Sequence, residues 1–135
     1  MSRKKTLFIV LDCSYTTVRE NIGRRELDRL HRGRGFLRCG YHCVIRRDGT
    51  VESGRPVDVA GACVKGYNDV SVQVCLIGGQ GCNKKPASNF TAEQRRSLTA
   101  LVAKLSQRYP NAEVVTRSSL PETRGSSPLD LTKLL

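Results

Sequence analysis

The sequence predicts an α/β fold in which helices flank a mixed central β-sheet. Three observations support this class. An apolar run at residues 6–11 is typical of a central strand that is buried on both faces. The pair Asp48-Gly49 joins two extended runs, which is the strongest short signal for a β-hairpin. Thr91 opens a long helix, since Gln94 follows three residues later in a capping-box pattern.

The elements before the hairpin are short. Residues 12–17 follow the first strand as an expected loop. Residues 24–34 predict a helix, because Leu27 and Leu30 fall on one face and arginines on the other. Two glycines at its end provide the stop signal.

The hairpin at residues 40–55 is expected to be the centre around which the other elements pack. Both residues of its turn can adopt positive φ. We expect Cys43, Ile45 and Val51 to face inward and the arginines to face outward. A glycine-containing loop at residues 56–68 follows.

The second half of the chain continues the alternation of strands and helices. The helix that Thr91 opens carries an apolar stripe of Leu98, Leu101, Val102 and Leu105. The remaining elements are a strand at residues 70–77, a last strand at residues 112–116, a polar loop at residues 118–128 and a short helix at residues 129–135.

Composition limits the classes of function. The 135 residues are expected to form one domain, residues 1–135, with a net charge of +11 that favours an acidic partner. No signal peptide or membrane span is apparent, so we expect a cytosolic protein and no membrane partner. Its six cysteines are then expected to be reduced thiols, with Cys13, Cys43 and Cys75 as small core residues.

Three consecutive motifs carry a family resemblance. They are GYHCVIRRDGTVESGR at residues 40–55, GACVKGYN at residues 61–68 and SVQVCLIGG at residues 71–79. In this order and spacing the chain resembles the phage-type N-acetylmuramoyl-L-alanine amidases, which share their fold with peptidoglycan recognition proteins. The resemblance runs from about Leu7 to Leu131. It implies the α/β fold and a phage protein in the cytoplasm of an infected host cell.

The resemblance also implies a zinc hydrolase, with two histidines and one cysteine holding a zinc ion that activates water against the lactyl-alanine amide. The three ligand positions of the family carry Asp12, Ser118 and Ser126 here. The catalytic lysine corresponds to Arg124, and a further cleft histidine to Cys63.

Of the residues that the family uses in catalysis, only the hairpin tyrosine, Tyr41, matches. One aspartate and two serines bind zinc poorly. We therefore expect no metal, no cofactor and no enzymatic activity, that is, a pseudoenzyme. Two alternatives stay open: a site rebuilt from Asp12, Cys63 and Cys13, and a metal-free hydrolysis. The two histidines, His31 and His42, match scaffold positions of the family.

The sequence favours binding of an anion in a cleft as the function. Arginine forks suit phosphate, and Arg117 and Arg124 flank the family's zinc position. Asp12 opposes an anion unless one of these arginines pairs with it. The predicted ligand is nucleotide-like, such as a host nucleotide signal that the protein would sequester. The residues expected to bind it are Asp12, Tyr41, Cys63, Lys65, Arg117, Ser118, Arg124 and Ser126.

Other partners remain open as well. The basic segment Arg3-Lys4-Lys5 and the helix at residues 24–34 suit an acidic host or phage protein, such as a polymerase. Binding of peptidoglycan without cleavage would keep the family's ligand. Nucleic acid fits the charge, but no DNA- or RNA-binding motif is present. The arginines could also form a plain solvated face.

Overall fold

Five strands form one sheet in the computed structural model of the protein, which describes residues 3–17, 19, 22–33, 40–62, 64, 66–121 and 129–135. The strands are β1 (Phe8–Cys13), β2 (Cys43–Ile45), β3 (Val51–Ser53), β4 (Ser71–Leu76) and β5 (Glu113–Thr116). Their order in the sheet is β3-β2-β4-β1-β5. All neighbours are parallel except the antiparallel pair β2–β3, which confirms the mixed sheet of the predicted α/β class.

The centre of the sheet is the parallel pair β1–β4. The prediction that the hairpin is the centre was wrong, because β2 and β3 lie at one edge. β1 is buried on both faces as expected, with Ile9, Val10 and Leu11 fully inaccessible. It also extends through Asp12 and Cys13, which the sequence placed in a loop. The reason is non-local: β4 continues far enough to pair with both residues.

The hairpin at residues 40–55 is confirmed, although its details differ from the prediction. The backbone of Gly49 donates a hydrogen bond to the Arg46 carbonyl at 2.9 Å, and of the two turn residues only Gly49 adopts positive φ, at 89°. Cys43 and Ile45 are buried, but Val51 is 44% exposed. Arg47 turns inward and donates to the Asn89 carbonyl at 2.7 Å, so the arginines do not all face solvent.

Helical segments cover the sheet on both faces. They are α1 (Arg24–Gly33), α2 (Ala92–Arg108) and two short 3-10 turns, Arg117–Ser119 and Leu131–Leu134. The predicted helix at residues 24–34 is confirmed as far as Gly33, and Arg34 lies outside the described residues. The predicted terminal helix is a 3-10 turn.

Two faces of the sheet bury different sets of side chains. α2 packs its Leu98, Val102 and Leu105 against alternate residues of β1, β2 and β4, including Cys13 and Cys43. The opposite face packs α1 through Leu27, while Cys75 contributes from β4. The expectation that Cys13, Cys43 and Cys75 are core residues is confirmed. No helix within the described part of the chain is both long and apolar enough to cross a membrane.

The start of α2 is tied to the sheet by Gln94, which is fully buried. Thr91 and Gln94 form the predicted capping box. The Gln94 amide also donates to the carbonyls of Ile77, at 2.8 Å, and Ile45, at 3.2 Å, at the ends of β4 and β2. One side chain therefore both caps the helix and joins it to two strands.

Replacement of Gln94 by alanine is expected to lower the free energy of unfolding by about 2 kcal/mol, because it removes half of the capping box and two buried hydrogen bonds. Urea denaturation measures the change. Gln107→Ala, at an exposed position of the same helix, is the matched control and should change stability by less than about 0.5 kcal/mol. Equal effects of the two substitutions would contradict the structural role of Gln94.

Candidate functional site

Asp12 is the penultimate residue of β1 and lies on the sheet face opposite α2. The alternation of a strand places Ile9, Leu11 and Cys13 on the α2 face and Asp12 on the other. The side chain is only 5% exposed. Its Oδ1 accepts a hydrogen bond from the backbone N–H of Cys13 at 2.9 Å. A buried carboxylate therefore stands at the carboxyl end of a central strand.

Two distant residues bind the other oxygen of this carboxylate. The Tyr41 hydroxyl donates to Asp12 Oδ2 at 2.9 Å, and Arg117 Nη1 lies 3.3 Å from the same atom. Tyr41 precedes β2, whereas Arg117 follows β5 at the start of a 3-10 turn. Tyr41 is 7% exposed, and the Arg117 side chain is 21% exposed. We call these three residues the Asp12 cluster.

The backbone of the hairpin fixes the position of Tyr41. Its carbonyl accepts a hydrogen bond from the Arg55 N–H at 2.9 Å, across the base of the hairpin. A Cβ atom on Gly54 would lie 2.1 Å from the same carbonyl oxygen, so any larger residue at position 54 would force this strand pair apart. Gly54 thus permits the close approach of the two backbones that positions Tyr41 on the same face as Asp12.

The buried side chain of His42, next to Tyr41, holds neighbouring backbone segments in place through hydrogen bonds. Its Nδ1 accepts from the Gln73 N–H at 2.9 Å, so the ring proton is on Nε2, which donates to the Val59 carbonyl at 2.6 Å. Burial lowers the pKa of His42 from 6.5 to about 4. The predicted scaffold role is therefore confirmed for His42, while the side chain of His31 lies outside the described residues.

The structure brings together three of the eight predicted site residues, those of the Asp12 cluster. Ser118 is solvent-exposed on the adjacent turn. The other four, Cys63, Lys65, Arg124 and Ser126, lie outside the described residues. Of the residues in the alternative metal site, Cys13 packs into the core on the α2 face, opposite to Asp12, and Cys63 lies outside the described residues.

The pairing within the Asp12 cluster was not predictable from spacing. Tyr41 and Arg117 lie 29 and 105 residues from Asp12 in the sequence. In the sequence, only the expectation that an arginine neutralises Asp12 pointed to this pairing. That expectation did not identify the arginine. The hydrogen bond from Tyr41 had no signal in the sequence beyond the family resemblance.

Comparison with known proteins settles the family. The family model described as N-acetylmuramoyl-L-alanine amidase matches residues 3–129. The chain belongs to this amidase family. It is 44% identical over 110 residues to an endolysin of Klebsiella phage KP32 and 43% identical over 110 residues to the endolysin of Escherichia phage T7. In both cases the match covers 82% of this chain and 73% of the relative.

Solved structures agree with the amidase family. The Ph2119 endolysin from the Thermus scotoductus MAT2119 bacteriophage superimposes with a TM-score of 0.82 at 26% identity, covering 99% of this chain and 86% of the endolysin. Drosophila PGRP-LB, a peptidoglycan recognition protein, has a TM-score of 0.74 at 22% identity and covers 94% and 78%. At that identity it supports the fold alone. The resemblance drawn from the hairpin motifs is thereby confirmed.

The expectation that the chain is not an enzyme was wrong. It rested on single positions, Asp12, Ser118 and Ser126, where the amidase family has zinc ligands. The relatives at 43% and 44% identity, which match most of the chain, are named endolysins, and the family itself is named for an amidase activity. Family membership therefore indicates an enzyme related to the phage endolysins.

Zinc is the cofactor that the amidase family implies, but the described residues do not fit it. Both oxygens of Asp12 already accept hydrogen bonds, and the guanidinium of Arg117 lies where it would repel a divalent cation. The described residues contain no group of three or more His, Cys, Asp or Glu side chains that could hold a metal ion. The chemistry of the Asp12 cluster therefore has to be derived from its own polar groups.

Proposed function

We propose that this protein is a peptidoglycan hydrolase of the amidase family and that Arg117 binds the anionic or carbonyl groups of the wall peptide. The relation to phage endolysins supports the substrate class. The net charge of +11 supports an anionic substrate, and peptides with free carboxylates fit that description.

The observation that carries this function is the pairing within the Asp12 cluster. The buried carboxylate of Asp12 holds the Arg117 guanidinium at 3.3 Å and the Tyr41 hydroxyl at 2.9 Å. Groups that are oriented before the substrate arrives lose little freedom when it binds. About one-fifth of the Arg117 side chain is accessible to solvent, so a ligand can reach it.

These groups suit the electrostatics of amide hydrolysis. Water adds to the amide carbonyl carbon, the C–N bond then breaks, and the proton released by the water goes to the leaving amine. The addition places negative charge on the carbonyl oxygen, and a fixed positive group nearby stabilises that charge. The guanidinium of Arg117 is always charged. The Tyr41 hydroxyl donates to the same Asp12 oxygen that Arg117 approaches, so it helps to hold the carboxylate beside the guanidinium. Arg117 thus addresses the carbonyl of the peptide, and Asp12 and Tyr41 hold Arg117 in position.

Replacement of Arg117 by alanine is expected to slow the release of peptides from purified peptidoglycan by about a hundredfold, the typical effect of removing one group that stabilises an oxyanion. The released amino groups are quantified over time for the wild type and the variant. Arg117→Lys keeps the charge without the fork and should fall between them. Arg95→Ala, which removes an exposed arginine of α2, is the matched control and should keep the wild-type rate.

Three outcomes would contradict this function. The wild type could neither bind nor cleave the wall; Arg117→Ala and Arg95→Ala could lose activity equally; or a chelator could abolish cleavage and added zinc restore it. The last result would assign the electrostatic role to a metal instead of Arg117. Urea denaturation of each variant separates loss of activity from loss of folding.

A nucleotide-like anion bound at the same cluster is the second candidate. The pairing of Asp12 with Arg117 favours it, because the only carboxylate of the cluster is neutralised. For this second candidate function, we expect the protein to act in the cytosol of an infected host cell. Calorimetric titration with adenine nucleotides, cyclic oligonucleotides and muropeptides discriminates the two. An acidic host or phage protein is a further partner class, for which the exposed Arg25 and Arg29 of α1 are the expected contacts.

A further inference from the structure

A cavity of about 350 Å³ lies at the amino end of β1, whereas the Asp12 cluster lies at the carboxyl end of the same strand. The segment that precedes β1 forms one wall, and the end of α2 forms another. The lining includes Arg3, Lys4, Lys5, Asp58, Arg108 and Tyr109. This cavity is separate from the proposed catalytic groups.

Positive charge dominates the lining. Four of its side chains are cationic and one, Asp58, is a carboxylate. The carboxyl end of α2 adds a partial negative charge of about half a unit, which opposes an anion. The balance remains positive. Lys4, Lys5 and Arg108 are exposed, so a ligand can reach them.

Hydrogen bonds and ring contacts hold the two arginines together. Arg3 Nε donates to Thr6 Oγ1 at 2.8 Å, and its Nη1 donates to the Val59 carbonyl at 3.2 Å. The guanidinium carbons of Arg3 and Arg108 lie 5.3 Å and 5.6 Å from the centre of the Tyr109 ring. Like charges gathered around one ring repel each other, and a bound anion would relieve that repulsion.

We propose that this cavity binds a phosphate-bearing anion through Arg3, Arg108 and the two neighbouring lysines. Guanidinium forks match phosphate oxygens, and lysines add point charges. The volume lies at the low end of the range for ligand pockets, about 300 to 1,000 Å³, which suits a diphosphate group. Both guanidiniums lie against Tyr109, so the site recognises phosphate and not a stacked base. The phosphate comes either from a free nucleoside di- or triphosphate or from a nucleic-acid backbone.

Calorimetric titration of the full chain with inorganic pyrophosphate tests this site. The triple variant Lys4→Ala, Lys5→Ala, Arg108→Ala is expected to bind pyrophosphate at least about tenfold more weakly than the wild type. Arg3 is left intact because it braces the backbone near Val59. The matched control, Lys85→Ala, Arg95→Ala, Lys133→Ala, removes the same charge from exposed positions elsewhere and should bind within about twofold of the wild type.

The same proteins titrated with a short DNA duplex at several salt concentrations identify the source of the phosphate. A steep loss of DNA affinity with salt, reduced in the triple variant, assigns the site to a nucleic-acid backbone. Pyrophosphate binding with a shallow salt dependence and no DNA binding assigns it to a free phosphate ligand. Absence of saturable binding, or equal weakening in the triple variant and the control, would overturn the proposal. Wall cleavage should be unchanged in the triple variant, so the two functions fail independently.

Discussion

Replacement of Asp12 by alanine is expected to lower the free energy of unfolding by about 3 to 5 kcal/mol, the range observed when one partner of a buried ion pair is removed. Asp12 is 5% exposed and accepts from Cys13, Tyr41 and Arg117. Its loss leaves the Arg117 charge in a largely buried position and takes away the acceptor of the Tyr41 hydroxyl. Urea denaturation of the purified variant measures the change.

A double-mutant cycle separates the ion pair from general damage to this face of the sheet. The double variant Asp12→Ala, Arg117→Ala should lose less free energy of unfolding than the sum of the losses in the two single variants. The reason is that Arg117→Ala removes the charge that Asp12→Ala leaves without its carboxylate. Asp69→Ala, at an exposed position, should change stability by less than about 0.5 kcal/mol. A loss below about 1 kcal/mol for Asp12→Ala would mean that the pair with Arg117 contributes little.

Acidification from about pH 6.5 to pH 4 is expected to remove up to about 3 kcal/mol of stability through His42 alone. Burial lowers the pKa of His42 to about 4 in the folded protein, from 6.5 in the unfolded chain. Between these values the unfolded state binds more protons, so stability falls as the pH falls through this window. The loss is complete below the folded value.

The substitution His42→Gln tests the source of this dependence. Glutamine can accept from the Gln73 N–H and donate toward the Val59 carbonyl, but it does not titrate. The variant should therefore show a flatter profile between pH 6.5 and pH 4. Hydrogen bonds from Thr50 and Thr132 lower the pKa values of Asp48 and Asp130 below 3.8, so these carboxyls act below this window. An unchanged profile in the variant would assign the dependence to another group.

Local signals in the sequence were sufficient for α2 and for the existence of the hairpin. The capping box of Thr91 and Gln94 and the stripe that includes Leu98 depend on residues three or four apart, and the structure confirms both. The end of β1 was misplaced, because Asp12 and Cys13 become strand residues through their pairing with β4. The inward turn of Arg47 likewise depends on the Asn89 carbonyl, which no local pattern indicates.

The candidate site shows the same division between local and distant information. The family motifs pointed to Asp12, Tyr41 and Arg117, but only the fold brings Tyr41 and Arg117 to the carboxylate of Asp12. The inference from these positions to a protein without activity failed, because it relied on three residues. Similarity over 82% of the chain relates it to proteins named endolysins.

The strand order has a consequence for the way the chain folds while it is synthesised. Phe8 in β1 pairs with Ser71 on one side and with Glu113 on the other. The ribosome therefore releases this buried strand long before either of its neighbours exists. Parallel pairing of this kind is slow and leaves early strands open to aggregation. The basic residues directly ahead of β1 place positive charge beside the unpaired strand, which opposes its aggregation until β4 emerges.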